Sequence, residues 1–212
     1  MIDYLLNLLF PEQCAGCGQS NTALCADCAH ALPASHAITN PLTAIALYDY
    51  EHPIVRKAVL QLKYRRRSPL MKALVQHAES RLRKQLGFLY SKKIVFVPMP
   101  QHYAKTFSRG FNQSALIARW LAAFVPGTQV QQVLKKERAT LSQAETYSRK
   151  ERLQNLRSSM RAKKILDPDT LYIVVDDVIT TGSSAKEASR ALRAAGAVHV
   201  YSLAVAHGML KK

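Results

Sequence analysis

Two adjacent carboxylates, Asp176 and Asp177, close the apolar run Leu171 to Val175, and a cluster of small residues follows them: Thr180, Thr181, Gly182, Ser183 and Ser184. The cluster leads into a segment with helical spacing over 184–195. The first N–H groups of a helix lack intrahelical partners, and the helix dipole favours negative charge there. A glycine that allows close approach, flanked by hydroxyl donors, makes such a turn a phosphate cradle. Two carboxylates beside a phosphate would repel it, so they suit sugar hydroxyls or a divalent cation. A ribose 5-phosphate satisfies both halves, with its phosphate on 180–184 and its 2- and 3-hydroxyls on Asp176 and Asp177. An N-cap with a surface acid pair accounts for one hydroxyl and not for the cluster. A response-regulator pocket carries its acid pair after the first strand, whereas this pair follows the penultimate one.

A second constellation lies near the start. Cys14, Cys17, Cys25 and Cys28 are the four cysteines of the chain, spaced C-x2-C-x7-C-x2-C. Each C-x-x-C turn presents two thiolates to one ion, and two turns complete a tetrahedral zinc site. Disulfides do not suit a cytosolic chain, and two pairs so close together do not read as a lone redox motif. With sulfur at all four positions the zinc is expected to be structural, and a module this small needs it to fold.

The third feature is charge. The chain carries 30 Lys+Arg and 14 Asp+Glu in 212 residues, but residues 1–55 contain no Lys or Arg and five of the acids. Residues 56–212 therefore hold 30 − 9 = +21, an excess that points to polyanionic partners. Lys63, Arg65, Arg66 and Arg67 form the densest cluster. Aromatic residues are interleaved with the basic segments at Tyr64, Tyr103, Phe107, Phe111 and Tyr147, a combination suited to single-stranded nucleic acid. Core packing is the competing role for those rings, above all for Phe111.

These groups must be positioned by elements that the patterning suggests. Residues 1–10 read as a short amphipathic helix, too short to span a bilayer and without a basic n-region, so the chain is expected to be cytoplasmic. Residues 1–40 form the zinc module with its linker, and 41–212 the main domain. Strands are expected at 42–50, 93–98, 171–175 and 198–206, with a weak one near 130–134, and helices at 52–64, 69–86, 112–125 and 184–195. The segment 135–164 is basic and lacks periodicity. Strands alternating with helices, two of them almost wholly apolar, indicate an α/β fold with a parallel sheet covered on both faces. Ligands bind such sheets beyond the carboxyl ends of the strands.

The stretch "IVVDDVITTGSS" resembles the phosphoribosyl-pyrophosphate (PRPP) motif of type I phosphoribosyltransferases. "VPMPQHYAKTFSRGFNQSALIARWLA" and "RATLSQAETYSRKERLQNL" resemble the R-G-F-N-Q and T-x-x-Q…R-x-x-N segments of the ComF family of late competence proteins and their GntX relatives. The zinc module in front matches that layout. The resemblance implies a type I phosphoribosyltransferase-like sheet flanked by helices, preceded by a four-cysteine zinc module, and a part in natural transformation. It implies that Asp176 and Asp177 take the ribose hydroxyls and 180–184 the 5-phosphate. It further implies a pyrophosphate loop containing His102, Lys105, Arg109 and Gly110, and a mobile hood over 137–155 with Arg138, Thr140, Gln143, Arg152 and Asn155. Lys105 stands where the family pattern has Arg, the Gln143–Arg152 spacing is one residue longer, and "LKYRRR" lacks the glycine that commonly follows L-K-Y.

Two functional readings follow. In one, the chain handles single-stranded DNA at the inner face of the cell membrane beside other DNA-uptake proteins, and keeps a PRPP site with Mg2+. In the other, it is an active phosphoribosyltransferase with an unidentified acceptor and no direct contact with DNA.

Overall fold

Alternation with a period of two assigns each strand residue to one of two faces. In strand β2 (Ile94–Pro98), Ile94 and Phe96 belong to one buried cluster, Val95 and Val97 to another. Both faces are therefore covered, as parallel sheets require. The computed structural model describes residues 12–33, 44–64, 68–86, 93–101, 110–136 and 159–208. Besides β2, its strands are β1 (Ala44–Asp49), β3 (Thr128–Val130), β4 (Leu134–Lys136), β5 (Met160–Ala162), β6 (Leu171–Ile179) and β7 (His199–His207). Its helices are α1 (Ala26–His30), α2 (Pro53–Tyr64), α3 (Pro69–His77), α4 (Glu79–Leu86), α5 (Gln113–Phe124) and α6 (Ser183–Arg193). Five strands form a wholly parallel sheet in the order β1-β7-β6-β2-β3, and β4 and β5 form a separate antiparallel pair.

The larger core joins Leu47, Phe96, Ile173, Val175 and Leu203 of the sheet to apolar residues of α2 to α5. Cys14, Leu24, Cys25, Ala29 and Leu32 belong to the same cluster, so the cysteine module packs directly on α2 and its neighbours. The smaller core lies on the opposite face, where Ala188, Ala191 and Leu192 of α6 meet Val95, Val97, Tyr172 and Val174, together with Leu134 and Met160 of the β4–β5 pair. No helix among the described residues is long and apolar enough to cross a membrane.

Two elements differ from the sequence expectation. The helix expected over 69–86 is divided at Ala78 into α3 and α4, although hydrogen bonds from Ala78 N–H to Leu74 O and from Leu82 N–H to Ala78 O run through the joint. The apolar run near 130–134 serves two sheets: Val130 pairs with Phe96, and Leu134 pairs antiparallel with Ala162. Periodicity cannot see this division, because each strand is only three residues long. The expected helix at 1–10, the linker around 34–41 and most of the basic segment, 137–158, lie outside the described residues.

The β4–β5 pair flanks segment 137–158, and one buried acid anchors it to α6. Glu187 accepts a hydrogen bond from Met160 N–H (3.2 Å) and a two-point contact from Arg190 (2.8 Å to each oxygen), while Arg190 also donates to Met160 O (3.0 Å). Burial disfavours the Glu187 carboxylate, but Arg190 and the backbone donors outweigh it and hold its pKa below the usual value. Glu187→Ala would strip the acceptor from a buried amide, a cost of about 1–3 kcal/mol. The melting temperature should fall by about 2–4 °C for each kcal/mol. A group with a depressed folded pKa contributes stability above its unfolded pKa and loses it as pH falls through the folded value. The gap between wild type and variant should therefore be full at neutral pH and narrow in acid, as thermal melts across pH will read.

Candidate functional site

From β2 the chain passes through α5 to β3 at one edge of the sheet, and from β6 through α6 to β7 on the other side. α5 packs on the face of the larger core and α6 on the face of the smaller one. The two connections leave neighbouring strands in opposite directions. They open a crevice between the carboxyl ends of β2 and β6, the position at which ligands bind in open α/β sheets. The acid pair stands on one side of it and the R-G-F-N-Q segment on the other.

β6 does not stop at Val175, as the run of apolar residues suggested, but continues through the acids to Ile179. Val175 is its last residue in register with β2, and its carbonyl accepts from Met99 N–H (2.9 Å). Beyond it β6 pairs only with β7. On the freed side Asp176 Oδ1 accepts from Asp177 N–H (2.9 Å) and from Ser114 Oγ (3.0 Å), and Asp177 Oδ1 accepts from Val178 N–H (2.9 Å). Burial of Asp176, with repulsion from the Asp177 carboxylate second, pushes its pKa well above the usual range, against the pull of its two hydrogen-bond donors.

The opposite wall explains the R-G-F-N-Q pattern as local structure. Gly110 has φ +72°, in the left-handed region that favours glycine. Phe111 is 8% exposed and belongs to the larger core, so its ring is a packing group. Asn112 caps α5: its Oδ1 accepts from Ala115 N–H (3.3 Å) and its Nδ2 donates to Met99 O (3.0 Å). Buried Gln113 accepts from Gln101 Nε2 (3.0 Å), tying the start of α5 to the loop after β2. Ser114 and Gln101 were not among the expected site residues. Ser114 directly follows the motif in the first turn of α5, but its partner lies 62 residues away.

At the loop beyond the acids, Gly182 occupies the N-cap of α6 with φ 71° and ψ 6° and has no side chain to cap it, while Ser183 N–H donates to Thr181 Oγ1 (3.4 Å). Thr181 Oγ1 and Ser183 Oγ lie 2.9 Å apart at the exposed entrance, and Thr180 and Ser184 are half-buried. Beyond Ser183, a glycine cap leaves the next amides of the helix to an outside acceptor. Asp176, Asp177 and Thr180 to Ser184 are thus brought to one side of one crevice, with Gly110 at the start of the other wall. His102, Lys105 and Arg109 of the loop, and Arg138, Thr140, Gln143, Arg152 and Asn155 of the hood, lie outside the described residues. So do Arg65, Arg66, Arg67, Tyr103, Phe107 and Tyr147. Lys63 stands in the last turn of α2, ten residues or about 15 Å of helix beyond Pro53.

The four cysteines form a separate site. None is in a disulfide, and their sulfurs all lie within 4.8 Å of one another, with Cys14 and Cys17 each 3.6 Å from Cys25. Four thiolates at about 2.3 Å from a tetrahedral ion stand about 3.8 Å apart, so the cluster can hold a metal ion. Cys25 N–H points to Cys14 Sγ (3.3 Å) and Cys28 N–H to Cys25 Sγ (3.5 Å). Burial opposes ionisation of Cys14, but amides of Cys17, Cys25 and Gly16 outweigh it and lower the thiol to about 6. Cys28, hydrogen-bonded to Cys25 and half-buried, is pushed up to about 12. Without a cation the group gives up one proton readily and holds others; with one, all four can be thiolates. A Cβ on Gly16 would stand 2.6 Å from Cys28 Sγ and 3.1 Å from Ile54 Cδ1, so this turn is pressed between the sulfurs and α2.

No protein-family model matches the chain. Curated proteins do. The chain is 31% identical over 199 residues to DNA utilization protein YhgH of Salmonella typhimurium, covering 88% of this chain and 85% of that one. It is 30% identical over 209 residues to DNA utilization protein YhgH of Escherichia coli, covering 90% and 87%. It is 33% identical over 112 residues to Competence protein F of Haemophilus influenzae, covering 51% and 48%.

Two outcomes are expected of these sites. Cys25→Ser should yield insoluble or protease-sensitive protein, while metal analysis of the wild type should find one tightly held ion per chain. Asp176→Asn keeps an oxygen for Ser114 and the Asp177 amide but removes a half-buried ionisable group beside the Asp177 carboxylate. A carboxyl with a raised folded pKa contributes fully below its unfolded pKa and costs stability as pH rises through the folded value. Asp176→Asn should therefore melt above the wild type at neutral pH, with the gain fading in acid. A variant that melts lower at pH 7 would make the acid a structural one.

Proposed function

The chain belongs to the ComF/GntX family, and from that membership we propose that it handles DNA taken up in natural transformation and carries a PRPP site in the crevice between β2 and β6. The observation that carries the ligand assignment is the junction of a glycine-capped helix start with two carboxylates, one of them held against ionisation. In this reading Thr180 to Ser184 take the 5-phosphate, and Asp176 and Asp177 the ribose hydroxyls. His102, Lys105, Arg109 and Gly110 face the pyrophosphate, and the segment bearing Arg138, Thr140, Gln143, Arg152 and Asn155 covers it. Mg2+ accompanying PRPP would be held near the acid pair and would supply charge against the pyrophosphate oxygens. Any transfer of phosphoribose rests on positioning and on fixed charge, and needs no covalent nucleophile.

The DNA assignment is supported by the names of the relatives and by the +21 charge of residues 56–212. Lys63 and Arg65 to Arg67 belong to that charge. The four-cysteine module is a structural zinc module, forming with its linker a unit of residues 1–40 before the phosphoribosyltransferase-like domain of 41–212. The protein works in the cytoplasm, at the inner face of the membrane, with other DNA-uptake proteins.

Calorimetry with PRPP tests the ligand. Wild type should bind it in the presence of Mg2+. Asp177→Ala should bind about 10- to 100-fold more weakly, the loss of one or two hydrogen bonds to a charged group, with an unchanged melting temperature. Absence of heat for the wild type at millimolar PRPP would remove the assignment, and an unfolded variant would reassign the pair to structure.

A further inference from the structure

One hydrogen bond crosses the crevice from wall to wall. Ser114 is the second residue of α5 and is 2% exposed. A helical serine usually turns its hydroxyl to solvent or back to a carbonyl of the preceding turn. This hydroxyl instead leaves its own helix and donates to Asp176 Oδ1 on β6 (3.0 Å). Oδ1 also accepts from Asp177 N–H (2.9 Å), but that donor belongs to the next residue of the same strand and moves with it. Among the described residues Ser114 is the contact that ties the carboxyl to the opposite wall. Both donors converge on Oδ1, so Oδ2 is the oxygen left to meet a ligand or the Asp177 carboxyl.

We propose that Ser114 is a positioning residue of the ligand site, which anchors Asp176 Oδ1 and thereby aims Oδ2 at a ribose hydroxyl, an inference that rests on the PRPP reading above. The terminal torsion of an aspartate is broad, with no sharp rotamer of its own. Repulsion between adjacent carboxylates turns them apart where they are free to rotate. A donor from a second element removes that freedom. The hydrogen bond to a sugar hydroxyl is short and directional, so a carboxyl already held in place binds it without the cost of being ordered. Ser114 itself touches no ligand here, because its proton is committed to Asp176. Its own position is set by its neighbours: Gln113 accepts from Gln101 Nε2 (3.0 Å), and Asn112 Nδ2 donates to Met99 O (3.0 Å). The aim of the ribose carboxyl thus depends on the chain just after β2, at the start of the loop assigned above to the pyrophosphate.

The test is a double-mutant cycle on PRPP affinity, read by calorimetry in the presence of Mg2+. S114A should bind PRPP about 10-fold more weakly than wild type, the effect of one hydrogen bond to a charged group. In a D176A background no carboxyl is left to aim, so S114A/D176A should bind no more weakly than D176A alone; coupled residues give such non-additive losses. Inorganic phosphate, which in this reading meets only residues 180–184, should compete with PRPP equally well in S114A and in wild type. The same loss from S114A in both backgrounds, an S114A that binds PRPP like wild type, or a parallel loss of phosphate affinity overturns the positioning role and leaves the PRPP reading standing. An S114A that is unfolded in a thermal melt makes the serine a structural residue and overturns the role as well. A wild type that gives no heat at millimolar PRPP removes both readings.

Discussion

A half-buried carboxyl beside a second carboxylate is the constraint around which the crevice is arranged. Asp176 is pushed toward its neutral form by burial and by Asp177. It stays in place because Ser114 and the Asp177 amide supply two donors. Ser114 can donate only if α5 starts at the right height beside β6, and that height is set one step further back. Asn112 both caps α5 and clasps Met99 O, and Gln113 is tied to Gln101. The ladder between β2 and β6 closes at Met99 and Val175, one residue before the acids. The motif that looks like a ligand signature is thus, in large part, the mount for a carboxylate on the adjacent strand.

The same logic reaches the other face. α6 begins at the glycine-capped loop, and in its body Glu187 and Arg190 grip Met160, the first residue of β5. The short β4–β5 pair has few ladder bonds of its own, so its position relative to the loop is set by this buried acid. The strands that flank residues 137–158 are therefore anchored to α6. Displacing the stem means exposing a charge that burial and Arg190 together have placed. Helix α6 is in this sense a shared frame for the loop at its start and the stem along its body.

What the sequence disclosed depended on the range of the interactions concerned. Continuous apolar runs such as Ile94 to Val97 and Leu171 to Val175 announced strands buried on both faces, because that signal is carried by adjacent residues. The C-x2-C-x7-C-x2-C spacing announced a metal-ready cluster for the same reason. The extension of β6 through Asp176 and Asp177 was hidden, since charged residues end an apolar run without ending the ladder to β7. The division of 130–134 between two sheets depends on partners at 96 and 162. Ser114 and Glu187 carry no local mark at all, because each acquires its role from a residue 62 or 27 positions distant. Phe111 shows the converse: a ring beside basic residues suggested stacking on bases, and tertiary packing claims it for the core.

Charge stoichiometry limits what the rest of the surface can do. Residues 56–212 hold nine acids for 30 bases. Some of those acids are already committed within the fold: Glu187 to Arg190 and Met160, Glu79 to Arg83, and Asp167 to Thr170 and the Asp169 amide. Even if every acid paired with one base, 21 bases would face no acid from their own region. The five acids of residues 1–55 cannot make up that difference. Self-repulsion on this scale weakens the compact state, and anions from solution relieve it. A polyanion laid along the basic surface does so with several phosphates held by one chain, and binding of that kind stabilises the fold that presents the charges. Stability and polyanion binding are therefore linked through the same residues, which makes the excess of Lys and Arg intelligible as part of a DNA-handling surface.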